Sequence, residues 1–270
     1  MIKQRAFLKW AGGKYSLIEN IKQVLPQGKR LVEPFVGAGS VFLNTDYDEY
    51  LLNDVNQDLI NLYKLVQQNP DDYIKESQKL FSSEFNDKDR YYDIRAKFNA
   101  SDDIFERSLF FLYMNRHGYN GLCRYNLKGG YNVPFGRYKK PYFPEKELWA
   151  FAEKAQKAKF TCQCYRETFK ESMVGDVIYC DPPYAPLSPT ASFTSYSGHG
   201  FKLNDQQDLA TLAEQGAERS IPVIISNHDL ELTRELYKKA SLEILQVKRT
   251  ISQKAGKRLK VNELLALYQA

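Results

Sequence analysis

The sequence has few residues of the kinds that hold metals or form disulfides. It contains four cysteines and three histidines in 270 residues, and no two cysteines are spaced as C-x-x-C. The histidines, His117, His199 and His228, lie far from one another along the chain. We therefore expect no metal site and no disulfide framework, and we expect the thiols to be reduced.

No apolar run in the chain approaches the length of a membrane-spanning helix. The first residues, from Met1 to Arg5, are not followed by the apolar core of a signal peptide. Hydrophobic residues make up 43% of the chain and charged residues 26%, as is ordinary for soluble domains. We expect a cytoplasmic protein that has no membrane partner and no obligatory protein partner.

Acidic residues are missing from two long stretches, although the net charge is only +5. Between Glu106 and Glu145 there is no Asp or Glu, whereas seven Lys and Arg residues occur there. Between Glu243 and Glu263 there are six basic residues and again no acid. Blocks of one sign in a nearly balanced chain indicate a polyanionic partner such as nucleic acid.

Short apolar runs alternate with helix-length segments over most of the chain. The predicted strands lie at 30–35, 50–54, 160–162, 177–180, 222–226 and 242–248, and the later helices at 205–219 and 230–239. Such alternation predicts an α/β fold, with a mostly parallel Rossmann-like sheet and helices on both faces.

The alternation is broken between residues 57 and 144. Helical patterns there are followed by a basic segment rich in Gly, Asn and Tyr, with turn residues at Lys128-Gly129-Gly130. We therefore predict a core domain formed by residues 1–56 and 145–270. Residues 57–144 are predicted to form an inserted, mainly helical domain that contains a β-hairpin.

The tetrapeptide Asp181-Pro182-Pro183-Tyr184 follows a predicted buried strand. Open α/β sheets bind ligands at the carboxyl ends of their strands. Asp181 and the carbonyl of Pro182 can accept the two hydrogens of an exocyclic amine, and Tyr184 can stack on the planar group that carries the amine. Taken alone, the same residues are also typical of a proline-rich turn closed by an aromatic side chain.

A second candidate site lies at Phe35-Val36-Gly37-Ala38-Gly39, between a strand and a helix expected to begin at Val41. The third glycine of a dinucleotide fingerprint is replaced by Phe42, so pyrophosphate binding is not indicated. Asp54 ends the next strand, where an acid accepts hydrogen bonds from ribose hydroxyls. This combination favours a nucleoside cofactor without a pyrophosphate, such as S-adenosylmethionine, although the glycines alone could equally form a tight turn.

Residues 9–14 precede the first strand and end in Gly12-Gly13-Lys14. The spacing of a phosphate loop is absent, and Tyr15 follows the lysine, which argues against triphosphate hydrolysis. We expect a lid over the cofactor, with Lys14 contacting its carboxylate and Trp10 shielding its sulfonium or adenine. Plain core packing would explain Trp10 equally well.

Five segments together resemble the Dam-type DNA adenine-N6 methyltransferases over nearly the whole chain. They are FLKWAGGK (7–14), EPFVGAGS (33–40), NRHGYNGLCRYN (115–126), NVPFGRY (132–138) and DPPYAPL (181–187). Their order, with the cofactor motif first, the recognition insert second and the catalytic motif last, is that of the alpha group of amino-methyltransferases. The resemblance implies a methyltransferase sheet and methylation of adenine in double-stranded GATC by S-adenosylmethionine, which leaves S-adenosylhomocysteine and needs no metal.

On this hypothesis Asp181, Pro182 and Tyr184 are catalytic. The expected cofactor contacts are Trp10, Ala11, Gly12, Lys14, Glu33, Phe35, Gly37, Gly39, Ser40, Asp54 and Asp181. In the insert, Arg124 is expected to bind guanine O6 and N7, Leu122 and Pro134 to touch thymine methyl groups, and Lys9 to reach another guanine. The remaining expected DNA contacts, mostly to phosphates, are Arg95, Arg116, Asn120, Asn126, Asn132, Arg137, Tyr138, Lys139 and Lys140.

Tyr119 is the candidate wedge that fills the gap left by a flipped base, although an ordinary loop aromatic is also credible there. Two alternative functions stay open at this point. The chain could be a catalytically inactive, sequence-specific DNA-binding protein, although its intact motifs argue against this. It could instead methylate RNA or another amine or amide, but the long basic, tyrosine-rich insert favours duplex DNA.

Overall fold

A computed structural model describes residues 3–185, 201–247 and 261–269. Within these ranges the strands are β1 (Arg30–Glu33), β2 (Glu49–Asn53), β3 (Ala158–Thr161), β4 (Asp176–Cys180), β5 (Val223–His228), β6 (Ser241–Val247) and β7 (Val261–Tyr268). The helices are α1 (Ile18–Val24), α2 (Gln57–Gln68), α3 (Pro70–Lys79), α4 (Lys88–Ala100), α5 (Ile104–His117), α6 (Glu145–Ala155), α7 (Tyr165–Lys170), α8 (Leu203–Glu218) and α9 (Glu231–Leu236). None of these described helices is long and apolar enough to cross a membrane.

The strands form one mixed sheet in the order β3-β2-β1-β4-β5-β7-β6. The five strands from β3 to β5 are parallel, and β7 runs antiparallel to both of its neighbours. This confirms the predicted α/β class, and the six predicted strands lie close to their predicted positions. Strand β7 was not predicted, because a run rich in Leu and Ala such as 261–268 is as typical of a helix as of a strand.

The sheet is covered on both faces, as its sequence pattern requires. Along β1 and β4, successive side chains point to opposite sides of the sheet. Leu31 and Val177 join a core cluster that includes α2 and α6, whereas Val32 and Ile178 join a second cluster that includes α7 and α8. Strands buried on both faces read as continuous apolar runs, which is why they were visible in the sequence.

The segment 57–144 holds α2 to α5 and shares its core with the sheet. Tyr63 of α2, Phe111 of α5 and Phe151 of α6 belong to one continuous hydrophobic cluster. The ring of Tyr63 packs 4.7 Å from that of Phe151 and 5.6 Å from that of Phe160 on β3. The helices of the insert therefore rest directly on the layer that covers the sheet.

The turn expected at residues 128–130 is present, but the hairpin that it closes is minimal. The Asn126 side chain accepts hydrogen bonds from the backbone N–H groups of Lys128 and Gly130. Within the described residues two isolated antiparallel bridges flank the turn, one between Tyr125 and Tyr131 and one further out between Gly118 and Phe135. No continuous ladder joins them, and part of the backbone bonds to side chains of α4 instead, with Tyr131 N–H donating to Asn99 Oδ1. We call residues 122–125 the first arm and residues 131–133 the second arm of the recognition hairpin.

The helix expected from Val41 is only a single 3-10 turn, Phe42–Asn44. The Asn44 amide donates to the carbonyl of Ser40 and the Thr45 hydroxyl donates to that of Val41. Side chains thus satisfy the carbonyls that would have continued a helix. The G-x-G turn is consequently not followed by a long helix, and the expected helix dipole contributes little there.

Candidate active site

Three loops meet at the carboxyl ends of β1, β2 and β4. Val32 of β1 is paired with Leu51 of β2 on one side and with Ile178 of β4 on the other. The order of strands reverses between β1 and β4, which is where open α/β sheets form a binding crevice. The loops that leave these strands begin at Pro34, Asp54 and Asp181, so the motifs found separately in the sequence lie side by side.

The G-x-G turn is built around a close approach to Trp10. Gly37 has a φ of 47°, and a Cβ atom at this position would lie 2.9 Å from the indole Nε1 of Trp10. The Gly37 N–H donates to Asp54 Oδ2 at 3.1 Å, and its carbonyl accepts from the Tyr63 hydroxyl at 2.5 Å. The structure therefore brings Trp10, which was predicted to belong to a lid, onto the G-x-G turn, and a larger residue than glycine would not fit between them.

Asp54 is held rigidly at the same edge. Its second oxygen, Oδ1, accepts the N–H of Asn56 at 2.9 Å, and the Asn56 side chain in turn caps α2. Burial raises the pKa of Asp54, and the N–H groups of Asn56 and Gly37 oppose that rise by stabilising the charged form. Each carboxylate oxygen has two lone-pair directions, so the group retains acceptor capacity.

Glu33 is a buried carboxyl group at the end of β1. It is 3% exposed, and its Oε1 has no hydrogen-bond partner within the described residues. Burial raises the pKa of Glu33 well above its usual range, because the charged form is poorly solvated. An unsatisfied buried polar atom at the edge of a crevice indicates a missing ligand group.

Lys14 and Asp181 join the lid to the D-P-P-Y loop. Lys14 Nζ lies 2.7 Å from Asp181 Oδ1, and it also donates to the Gly12 carbonyl at 2.7 Å. The ammonium is 4.6 Å from the centre of the Tyr184 ring. Burial raises the pKa of Asp181, while the charge of Lys14 pulls it back down. The predicted contact of Lys14 was with a cofactor carboxylate, whereas its partner in this structure is Asp181.

Tyr184 is anchored by two residues that the sequence did not identify. Its hydroxyl lies 2.5 Å from Ser226 Oγ on β5 and donates to Glu263 Oε2 on β7 at 2.9 Å. Behind it, Ala185 N–H donates to Asn227 Oδ1 and the ring of His228 packs edge-on against Tyr184. The run Ser226-Asn227-His228 at the carboxyl end of a predicted strand was an available signal, whereas Glu263 lies on the strand that was not predicted.

The other residues predicted to contact the cofactor lie in residues 9–14 and 33–40. Ala11 and Gly12 are exposed between Trp10 and Lys14, and Ser40 is buried after the G-x-G turn. The ring of Phe35 packs against Tyr165 at 5.3 Å. Pro182 is buried beside Asp181, and residues 186 and 187 of the catalytic motif lie outside the described residues.

Lys9 connects the lid with the recognition segment. Its backbone N–H and carbonyl are both bonded to the Asn115 side chain, at 2.9 and 2.8 Å. Its ammonium lies 4.1 Å from the centre of the Tyr138 ring. At Gly121 a Cβ atom would lie 2.3 Å from that of Lys9, so only glycine permits this contact. Burial and the nearby charge of Arg116 lower the pKa of Lys9.

Most predicted DNA contacts in the insert are exposed or half-buried. The exposed ones are Tyr119, Asn120, Arg124, Asn126, Pro134, Arg137, Lys139 and Lys140, and the half-buried ones are Arg95, Leu122, Asn132 and Tyr138. Asn120 and Arg137 have left-handed backbones, with φ of 54° and 53°, a conformation that residues other than glycine adopt infrequently. Arg124 Nε donates to Asn132 Oδ1 at 2.7 Å, which links the two arms of the hairpin.

Three residues that were predicted to contact phosphates form hydrogen bonds to other parts of the protein. Arg116 is 8% exposed and donates to the carbonyl of Phe7, and burial lowers the pKa of its guanidinium to about 10. Arg95 donates to the Val133 carbonyl, and Asn126 closes the hairpin turn. Arg116 was predicted to be a phosphate clamp, whereas the structure buries its side chain and bonds its guanidinium to the segment just before residues 9–14. The second basic block, residues 248–260, lies outside the described residues.

The crevice is suited to holding an amine on a flat ring. It offers the Asp181 carboxylate, which Lys14 contacts, and next to it an aromatic ring fixed at its hydroxyl end. In the described part of the chain no three His, Cys, Asp or Glu side chains are grouped so that they could hold a metal ion.

Comparison with known proteins identifies the family. The family model described as D12 class N6 adenine-specific DNA methyltransferase matches residues 10–251. A curated protein named DNA adenine methylase from Vibrio cholerae serotype O1 is 62% identical over 269 residues, which covers 99% of this chain and 97% of that protein. Proteins of the same name from Serratia marcescens and Escherichia coli K12 are each 58% identical and cover 100% of this chain, with 100% and 97% of their own lengths matched. This chain belongs to the D12 class of N6 adenine-specific DNA methyltransferases.

Proposed function

We propose that this methyltransferase uses S-adenosylmethionine to methylate adenine N6 within duplex GATC, and that the target base is flipped out of the helix. The observation that carries the proposal is the contact of Lys14 with Asp181, which puts the lid and the amine acceptor at one edge of the sheet. The resemblance of segments 115–126 and 132–138 to Dam-type enzymes supports GATC as the target. Residues 1–56 and 145–270 would carry catalysis, and residues 57–144 would carry target recognition.

The residues at the crevice fit this cofactor. Glu33 has a buried oxygen without a partner in the described residues, which an amino acid ammonium would satisfy. Asp54 would accept hydrogen bonds from the ribose hydroxyls, Lys14 would bind the carboxylate, and Trp10 on the Gly37 turn would cover the adenine. When bound, S-adenosylmethionine supplies a methyl group on a sulfonium whose thioether is a good leaving group.

Asp181 and Pro182 would prepare the target amine. The lone pair of an adenine amine is delocalised into the ring, so the nitrogen is a poor nucleophile. If Asp181 and the Pro182 carbonyl accept both of its hydrogens, the nitrogen becomes more pyramidal and its lone pair points away from the ring plane. Positioning is then the main catalytic device. Because the Lys14 ammonium bonds to the same carboxylate, it would move toward the cofactor as the base enters.

Tyr184 and Tyr119 would offset the cost of flipping the base. Extruding a base from duplex DNA costs a few kcal/mol. Stacking on an aromatic ring returns about 1–3 kcal/mol, and the bonds of Tyr184 to Ser226 and Glu263 keep its ring in place for that purpose. Tyr119 is 50% exposed at the surface of the insert, and it would fill the gap left in the helix.

Arg124 would be the main reader of sequence. Its guanidinium is exposed and is held by Asn132, which limits the orientations it can take toward guanine O6 and N7. Leu122 and Pro134 would touch thymine methyl groups, and Lys9 would reach the other guanine. Phosphate contacts from Arg95, Asn126, Asn132, Arg137, Lys139 and Lys140 would orient the protein without specifying sequence.

Replacement of Asp181 tests the catalytic part of the proposal. Asp181→Ala is expected to abolish transfer of a radiolabelled methyl group while changing duplex affinity little, because the carboxylate acts on the amine and not on the DNA backbone. Asp48→Ala, at an exposed position before β2, is the matched control. Equal loss of DNA binding and methyl transfer would refute the role of Asp181.

Replacement of Arg124 tests the sequence assignment. The substrates are duplexes that differ from GATC by one base pair, and nucleoside analysis of the product shows whether N6-methyladenine forms. Arg124→Ala is expected to relax discrimination by about 1–3 kcal/mol at one base pair. Lys128→Ala, on the same hairpin, should leave discrimination unchanged. A uniform loss of activity on all duplexes would make Arg124 a phosphate contact instead.

A further inference from the structure

The D-P-P-Y loop is held from behind by a chain of two buried amide side chains. Gln206, near the start of α8, donates a hydrogen bond from Nε2 to the carbonyl of Pro183 at 2.8 Å. Its Oε1 accepts a hydrogen bond from Nδ2 of Asn227, on β5, at 3.0 Å. Asn227 Oδ1 in turn accepts the N–H of Ala185 at 3.1 Å, so the chain begins and ends on the same loop. Gln206 and Asn227 are both fully buried.

The direction of each hydrogen bond in this chain is set by the backbone groups at its two ends. The N–H groups of Ala185 and His228 both point to one atom of the Asn227 amide, at 3.1 and 2.9 Å, and a backbone N–H can only donate. That atom must be the oxygen, so the Asn227 NH2 group faces Gln206 and requires the Gln206 oxygen there. The Gln206 NH2 group then faces the Pro183 carbonyl, which can only accept.

Tyr237, which follows α9, holds both amides in this orientation. Its hydroxyl accepts a hydrogen bond from Asn227 Nδ2 at 2.9 Å and donates one to Gln206 Oε1 at 3.2 Å. The tyrosine is fully buried, as are the two amides. A flipped amide would bring two donors or two acceptors into contact away from water, which is costly. The chain therefore has one favourable arrangement, and in it Gln206 is a donor to the loop.

The two prolines make the loop dependent on such a donor. Pro182 and Pro183 have no N–H, so the backbone at these residues can be held only through its carbonyls. Their rings set φ at about −65°, and a residue that precedes a proline is confined to extended values of ψ. Of the torsions at the two prolines, ψ of Pro183 is left free by these effects. The hydrogen bond from Gln206 to the Pro183 carbonyl restrains that torsion.

The ends of the loop are anchored by the sheet. Cys180, the last residue of β4, pairs with Ile225 of β5. At the other end Ala185 is fully buried, and its carbonyl lies 2.8 Å from Nδ1 of the His228 ring. Gln206 therefore acts on the middle of a short loop whose two ends are already fixed.

We propose that Gln206 is a positioning residue for methyl transfer. By holding the Pro183 carbonyl it sets the orientation of the preceding peptide, so that the Pro182 carbonyl and the Asp181 carboxylate meet the two hydrogens of the target amine together. Gln206 is buried behind the loop and acts only through it. The inference rests on the proposed function, which gives the Pro182 carbonyl and Asp181 this role.

Single-turnover kinetics separate positioning from binding. The enzyme is in excess over a GATC duplex with saturating radiolabelled S-adenosylmethionine, and affinities for the duplex and for S-adenosylhomocysteine are measured separately. Gln206→Met keeps the length of the side chain and removes both hydrogen bonds. It is expected to lower the rate constant by about ten- to a hundredfold, because misplacing a reacting group by about 1 Å can cost that much. Both affinities are expected to stay nearly unchanged.

Gln67→Met is the matched control. The Gln67 amide also donates to backbone carbonyls, those of Ala155 and Ala158 at 2.6 and 2.8 Å, but it joins α2 to the end of α6 and the start of β3. Its rate constant is expected to equal that of wild type. An unchanged rate constant in Gln206→Met, or a loss of duplex affinity as large as the loss of rate, overturns the inference.

Gln206→Glu tests the direction of the hydrogen bond, and it decides the question if Gln206→Met does not fold. Burial raises the pKa of the introduced carboxyl group. Below that pKa the neutral acid can donate its O–H to the Pro183 carbonyl and still accept from Asn227, whereas the ionised carboxylate only accepts and repels that carbonyl. The rate constant of the variant divided by that of wild type is therefore expected to rise toward one as the pH falls.

Titration of the neighbouring groups cancels in this ratio, because wild type contains them too. In the described part of the chain they are Asp205 and Asp208 on α8, Tyr165 and Arg166 on α7, Cys180 on β4, His228 on β5, and Tyr237. Gln67→Glu is expected to give a ratio that does not rise as the pH falls. A ratio for Gln206→Glu that is constant, or that falls with the pH, overturns the inference. Failure of wild type to methylate adenine in the GATC duplex would instead overturn the proposed function.

Discussion

The ammonium of Lys14 lies 2.7 Å from the carboxylate Oδ1 of Asp181, and the two groups are 4% and 23% exposed. This pair spans the crevice between the segment before β1 and the loop after β4. Burial alone would favour the neutral acid at Asp181, and the adjacent cation counteracts that effect. Lys14 thereby favours the ionised form of the proposed amine acceptor.

Lys14→Met is expected to move the acid limb of the pH–activity profile to higher pH. Burial raises the pKa of Asp181 and Lys14 lowers it, so removal of the ammonium raises it further and a higher pH is needed to ionise the carboxylate. The measurement is kcat/KM for methyl transfer as a function of pH. Lys22→Met, at an exposed helix position with a partner 4.0 Å away, is the control. Superimposable acid limbs in wild type and Lys14→Met would show that Lys14 does not set the ionisation of Asp181.

Gly37→Ala is expected to weaken cofactor binding and to destabilise the fold. A Cβ at this position would lie 2.9 Å from Trp10 Nε1, and the backbone φ of 47° costs a residue other than glycine about 1–2 kcal/mol. Gly129→Ala is a matched control, because its φ of 80° is also positive but a Cβ there meets nothing within 4 Å. Thermal unfolding and S-adenosylhomocysteine titration are compared for both. Equal effects on cofactor affinity would mean that the contact with Trp10 is unimportant.

Tyr184→Phe is expected to lower kcat/KM by about tenfold or more while leaving duplex affinity nearly unchanged. The change removes the hydroxyl that bonds to Ser226 and to the Glu263 carboxylate, and a hydrogen bond to a charged group is worth about 1.5–3 kcal/mol. The ring stays but loses its fixed orientation toward the target base. Tyr47→Phe, whose hydroxyl donates to the Pro26 carbonyl outside the crevice, is the control. Unaltered single-turnover rates in Tyr184→Phe would contradict the anchoring role.

His117→Phe is expected to reduce the loss of stability in mild acid. Burial lowers the pKa of His117 to about 4 from an ordinary value of 6.5, with the nearby charge of Lys9 acting in the same direction and the Tyr113 carbonyl opposing it. The neutral ring therefore contributes stability that is fully present above about pH 6.5 and is lost progressively as the pH falls from 6.5 to about 4. Between about pH 7.5 and 5 the wild type should lose about 2 kcal/mol of unfolding free energy through this group.

Urea unfolding at the two pH values measures that difference. Phenylalanine can keep the stacking on Tyr113 and the contact with Phe81, so the variant isolates the effect of the ionisable ring. An identical loss in wild type and His117→Phe would place the acid sensitivity in other groups.

Much of the fold followed from local pattern. Continuous apolar runs predicted β1 to β6, and Asp54 and Asp181 were predicted to be ligand-binding acids because each directly follows such a run. The turn at residues 128–130 was also predicted. These features depend only on neighbours in the chain, since hydrophobic periodicity and turn chemistry are local properties.

The partners of these residues were decided by tertiary structure. Lys14 meets Asp181 because β1 lies beside β4, and Glu263 meets Tyr184, 79 positions away, because β7 inserts antiparallel beside β5. Arg116 looked like a surface cation in the sequence, yet packing of the lid buries it. Strand order and long-range packing arise from burial of the whole chain at once, which no local pattern contains. The sequence thus identified the chemical groups of the candidate site, and the arrangement of the sheet determined which of these groups contact one another.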